Sequence, residues 1–133
     1  MLRLKQCIRD IANWCKQFDD KNTPVVLYTN PNPTAAFSAT ILNIDWEKYS
    51  FIGVVFPETG ELRYPTNTSI TSFGAKTVGG LGSSGGYTWV GSRYVQFQAK
   101  GIYISAMSTK YANSTTLGTS TGSLIPLIIY GYK

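Results

Sequence analysis

The side chains best suited to chemistry are few in this chain, and one type is missing altogether: there is no histidine. That removes Ser-His-Asp and Cys-His nucleophile arrangements and nearly every zinc-enzyme site. A Ser–Lys pair remains conceivable, but no nucleophile elbow marks one. Glycan hydrolysis needs two carboxyls ~5–9.5 Å apart. Three of the seven acids lie on the N-terminal segment, as Asp10, Asp19 and Asp20. Of the rest, Asp45 and Glu47 would share one face of a strand, and Glu58 and Glu61 would flank a turn. Each pair is accounted for more simply by a turn or a solvated edge, so no catalytic residue is expected. Cys7 and Cys15 fall on a helical stretch, where ~12 Å of rise separates them, too far for an intrachain disulfide. Gly79-Gly80-Leu81-Gly82 lacks the lysine and the following helix of a phosphate loop. Neither a metal nor a cofactor is expected.

What remains for recognition is aromatic. Nine tyrosines and three tryptophans are spread along the chain, many beside Asn, Ser or Thr, a setting that suits contact with sugars or protein partners. Most are expected to be packing residues. Tyr87 and Trp89 are singled out as candidate ligand contacts because they adjoin a glycine-rich stretch. The net charge of +5 comes from Lys and Arg scattered singly along the chain. They form no basic stripe, so nucleic acid is not an expected partner. The first fifteen residues show no readable signal peptide, and no apolar run approaches the ~20 residues of a membrane span. Folding in a cytoplasm, without membrane insertion, is the expectation.

These residues must be positioned by two kinds of element. Over residues 2–20, apolar side chains recur at Leu4, Cys7, Ile11, Trp14 and Phe18, alternating three and four apart as in a heptad seam. Ile8 and Cys15 widen the stripe, and Lys5, Arg9, Asn13 and Lys16 stand on the solvated side. Fewer than three heptads make a marginal free helix, so it either associates with copies of itself through these five positions or lies on its own domain's sheet. Asp19–Pro24 is expected to break it, dividing an N-terminal helix (1–22) from a β head (23–133).

From Val25 the apolar period becomes two. Strands are expected at Val25–Tyr28, stopped by the Asn30-Pro31-Asn32-Pro33 turn, then at 37–44 and at Tyr49–Phe56. The last is apolar enough to be buried on both faces. Glu58-Thr59-Gly60 reads as a hairpin turn into Glu61–Tyr64. Further strands are expected at 70–73, 87–90, 93–99, 102–107 and 124–132, with Pro126 favouring an edge or bulge in the last. Six glycines within 74–86 read as a mobile loop, and 113–123 also reads as loop. Seven to nine strands of this kind make a mainly β fold, an antiparallel sandwich or jelly roll behind a short helix.

The segment Tyr28–Phe37 (YTNPNPTAAF), the stretch Ile41-Leu42-Asn43-Ile44, the run Tyr49–Phe56 and the ending IPLIIYGYK (125–133) resemble small virion proteins, or C-terminal heads of tail fibres, from bacteriophages and prophages. The resemblance covers residues 25–133 and is carried by structural motifs. It implies a homo-oligomer, commonly a trimer on a helical stalk, exposed on a virion with other virion proteins and attached to a host-surface glycan or protein. The expected function is therefore a non-enzymatic virion protein of tail-fibre, receptor-binding type. A capsid-decorating or head-fibre protein, a polysaccharide depolymerase and a host-directed inhibitor are the alternatives.

Overall fold

The computed structural model describes residues 2–67, 69, 72–79, 89–111, 117–120 and 123–133. In chain order the elements are α1 (Leu2–Asn22), β1 (Val25–Thr29), β2 (Thr40–Leu42), a 3-10 turn (Trp46–Lys48), β3 (Phe51–Phe56), β4 (Gly60–Pro65), β5 (Ser72–Gly79), β6 (Trp89–Gln98), β7 (Gly101–Ile104), β8 (Met107–Tyr111), β9 (Leu117–Ser120) and β10 (Ile128–Tyr132). Two antiparallel sheets pack as a sandwich. The first has the order β1-β10-β3-β4. In the second, β5 pairs along one side of β6, while β7 and β8 share its other side, each paired outward, β7 with β2 and β8 with β9.

β7 and β8 are two halves of one strand line, offset by a bulge. Val95 opposes Ile104 and Ser92 opposes Ser108, so three residues (105–107) face two on β6. Ser105 fills the irregularity: its N–H donates to Tyr94 O at 2.9 Å, and its Oγ accepts from Tyr94 N–H at 3.0 Å. The extra residue bends the strand and re-aims its side chains.

The core lies between the sheets. Alternate residues Ile52, Val54 and Phe56 of β3 face Val95, Ile102 and Ile104 of the second sheet, all with no exposed surface, each burial stabilising by about 1.5–3 kcal/mol. One charge shares this interior. On β6, Gly91, Arg93, Val95 and Phe97 all point inward, and Arg93 is only 1% exposed. Its guanidinium donates to the carbonyls of Phe37 (3.1 Å), Ser105 (2.6 Å) and Ser123 (3.0 Å), tying the bulge to two connecting segments. Burial lowers its pKa, and Glu58 nearby opposes that shift. Its Nε and Thr109 Oγ1 have no hydrogen-bond partner among the described residues.

Several expectations from the sequence are corrected. The helix runs on through Asp19 to Asn22, because Thr23 N–H still reaches Asp19 O and Asn22 Nδ2 donates to Phe18 O. Pro24, which disfavours helical backbone in the residue before it, then ends it. The strand expected at 37–44 is only Thr40–Leu42, since its partner β7 is cut short by the bulge and Phe37 is held outside the ladder by Arg93. Gly74–Gly79 is not loop but most of β5, paired residue by residue with β6; a full-length partner overrides glycine's weak strand preference. For the same reason 89–98 is one strand, with Gly91 flanked by Thr77 and Thr109. Leu117–Ser120, read as loop, pairs with β8.

The final strand is central rather than an edge, lying between β1 and β3. Pro126 precedes it, where no ladder donor is needed. Buried Asn30 locks that entry: its N–H donates to Leu127 O and its Nδ2 to Pro126 O. β3, expected to be buried on both faces, is covered on one, and Phe51 on the other face is 43% exposed. The Glu58-Thr59-Gly60 turn is as expected, with Gly60 at φ +73° opposite Phe56.

Candidate functional site

The helix is the first candidate. Every side chain from 3 to 19 is exposed, so α1 does not lie on its own domain's sheet. Leu4, Ile8, Ile11, Trp14 and Phe18 are between 57% and 65% exposed. Trp14 and Phe18 stack one turn apart, with centroids 6.0 Å from each other, and Gln6 donates to Asp10 on the polar side. Cys7 and Cys15 are exposed thiols with no disulfide. Such a helix, about 31 Å long, presents an apolar stripe that the other described residues leave uncovered. No helix among the described residues is long and apolar enough to cross a membrane.

The end of the sandwich beside the helix carries two hollows. One, of about 590 Å³, lies where α1 meets the first sheet and is lined by Phe18, Asn22, Ser50, Phe51, Arg63, Asn67 and Lys133. Next to it on β3, β4 and β10 stands a polar cluster. Glu61 accepts from the Tyr132 hydroxyl and pairs with Arg63 at 3.2 Å. The Arg63 guanidinium in turn lies 3.7 Å from the centre of the Tyr132 ring. Gly53 makes room for this, because a Cβ there would strike the Glu61 carboxylate. Burial, and then the bond to Glu61, raise the Tyr132 pKa above its ordinary value, with Arg63 opposing.

The second hollow, of about 280 Å³, is lined by Asn43, Asp45, Trp46, Glu47 and Lys100, with Ile44 and Ala99. Trp46 is fixed there by stacking on Phe97 at 5.0 Å and by its Nε1–H donating to Gln98 O at 2.8 Å. Three of the four carboxylates weighed as dyads have other partners: Asp45 pairs with Lys48 at 2.9 Å, Glu58 accepts from Leu124 N–H, and Glu61 is held by Tyr132 and Arg63. Among the described residues no three His, Cys, Asp or Glu cluster as metal ligands would.

At the opposite end of β6, about 30 Å away at 3.3 Å per residue, the backbone of Trp89 pairs with Gly79 and Tyr111. Tyr87 lies outside the described residues. The C-terminal end of the helix and the backbone of Trp89 therefore lie at opposite ends of the sandwich. Reading the sequence alone did not single out Arg93 or the clamping of Trp46. The signal for Arg93 was present, since it occupies the inward position of an alternating Gly91, Val95, Phe97 series.

Comparison with family models, with curated proteins and with solved structures finds no match.

Proposed function

We propose that this chain is a non-catalytic virion protein of the tail-fibre head type, which self-associates through its N-terminal helix and presents the β-sandwich for attachment to a host surface. The observation that carries the reading is the uncovered apolar stripe of α1. A helix with five large apolar side chains in water, on a seam that spans fewer than three heptads, is unfavourable as a monomer, and association through that seam removes the cost. Ile8 and Cys15 broaden the stripe on one flank, which suits a bundle in which each helix has two neighbours, as in a trimer. The separation of the helix's junction with the sandwich from Trp89 supports a division between an assembling end and an attaching end. The resemblance of residues 25–133 to fibre heads supports the virion setting.

The test is light scattering on the full chain and on the Ile11→Asp/Trp14→Asp variant. An oligomer for the first and a monomer with an intact β spectrum for the second is the expected outcome; a monomer in both cases sinks the reading. Immunogold labelling of virions then separates tail from capsid, and saturable binding to host cells weakened by Trp89→Ala separates attachment from architecture.

A further inference from the structure

The outer face of the first sheet is unusual for a face turned to water. In antiparallel sandwiches the solvent side of each strand is normally polar. Here the registers place Val26, Tyr130 and Gly53 in one row, Phe51 beside Tyr132 in the next, and Val55 beside Ile128 in a third. Glu61 and Arg63, at the β4 edge, neutralise each other. Val26 is 57% and Phe51 43% exposed. The sequence is apolar on both sides of β3 and β10; on the outer side Arg63 and Glu61 cover Tyr132 and Gly53, while Val55, Ile128 and Tyr130 are half-buried and Val26 and Phe51 stand in water.

This face is continuous with the helix stripe. Phe18, the last residue of the seam, and Phe51, the first residue of β3, line the same hollow at the junction. We infer that the outer face of the first sheet is the second half of the self-association surface, so that a neighbouring copy of this chain packs on α1 and on Val26, Phe51, Val55, Ile128 and Tyr130 together. The inference rests on the helix-mediated association proposed above.

Area argues for a second copy. At ~150–250 Å² for each aromatic side chain, Trp14 and Phe18, 65% and 57% exposed, supply roughly 250 Å² per protomer, and Leu4, Ile8 and Ile11, all about three-fifths exposed, add a comparable amount. A stable interface takes about 800 Å² from each partner, and the sheet face, which meets the stripe where Phe18 and Phe51 line one hollow, supplies the remainder. Chemistry argues the same way. Val26, Phe51, Val55, Ile128 and Tyr130 carry no charge to select an acidic or basic partner, Arg63 at the β4 edge is paired with Glu61, and the heptad seam is complementary to itself.

The experiment measures the dissociation constant of the full-length oligomer by sedimentation for wild type, Phe51→Glu, Val26→Glu and, as a control on the outer side of the other sheet, Tyr94→Glu. All three positions are exposed, so the fold tolerates them. Thermal unfolding of dilute monomer checks that it does. The expected result is association weakened at least tenfold by Phe51→Glu and by Val26→Glu, and unchanged by Tyr94→Glu, with equal monomer unfolding temperatures. Association unchanged by both sheet variants but abolished by Ile11→Asp/Trp14→Asp would overturn this inference and leave the helix-mediated reading standing. A wild-type chain that stays monomeric at high concentration would overturn both.

Discussion

Arg93 shows how one residue can hold an irregular part of this fold. A guanidinium supplies several donors in a fixed fork, and here three of its hydrogen bonds go to carbonyls of separate segments. Arg93→Met keeps much of the volume but strands those carbonyls, and is expected to cost on the order of 3 kcal/mol in chemical denaturation. Arg93→Lys, with a point charge in place of the fork, should recover only part of this. Glycine positions divide in the same way. Gly101 has φ +139° and an added Cβ would meet the backbone of Leu42, while Gly60 at φ +73° faces open space. Gly60→Ala should cost about 1–2 kcal/mol for the left-handed backbone alone, and Gly101→Ala distinctly more, read from denaturation midpoints. Tyr132 gives a pH signature. Its pKa is raised in the folded chain, so its contribution is complete below the unfolded value of 10.0 and is lost as pH rises through the folded value. The unfolding temperature should therefore fall at alkaline pH, and Tyr132→Phe should flatten part of that fall. Tyr28 and Tyr103, also raised chiefly by burial, and Lys48, raised by its hydrogen bond to Asp45, add to the fall.

Among the elements, α1 invites the most direct test of geometry. In a parallel bundle Cys7, on the seam, lies near the Cys7 of its neighbour, whereas in an antiparallel one it faces a different layer. Mild oxidation of the Cys15→Ser variant should give a covalent dimer on a non-reducing gel, and the Ile11→Asp/Trp14→Asp background should lose it. Absence of the dimer from an intact oligomer would exclude parallel packing. The helix, the turn at Glu58–Gly60 and the apolar alternation of β3 were legible because local spacing determines each of them. The bulge at Ser105 was not legible. Nothing in Ile102–Met107 marks a break; it arises because Tyr94 and Arg93 of β6 each make a hydrogen bond to Ser105. β5 was hidden for a related reason, since its glycines carry no strand preference of their own and depend on β6.

For the whole molecule, the driving force for association distinguishes the apolar interface from an electrostatic one. The chain carries a net charge of +5, so copies repel one another, and salt screens that repulsion over a Debye length of about 10 Å at 0.1 M. Excluded salts such as sulfate further favour apolar burial. Raising sodium sulfate to about half molar should tighten self-association in sedimentation experiments; dissociation under those conditions would point to ion pairs between subunits instead.

The sequence by itself determined that this chain is a helix followed by an antiparallel sandwich, because a change of apolar period from 3.6 to two is written in the side chains. It also placed the five seam residues on one face of that helix and removed histidine chemistry outright. What it could not decide was which apolar faces the chain covers for itself. β3 reads as buried on both sides, and α1 reads as a self-associating helix with packing on its own sheet as the alternative. Only the tertiary arrangement shows that one sandwich has enough inner surface for Ile52, Val54 and Phe56 but leaves Phe51 and the whole helix stripe in water. The physical reason is that periodicity records that a face must be buried, while the identity of the covering surface depends on long-range contacts that no local spacing encodes.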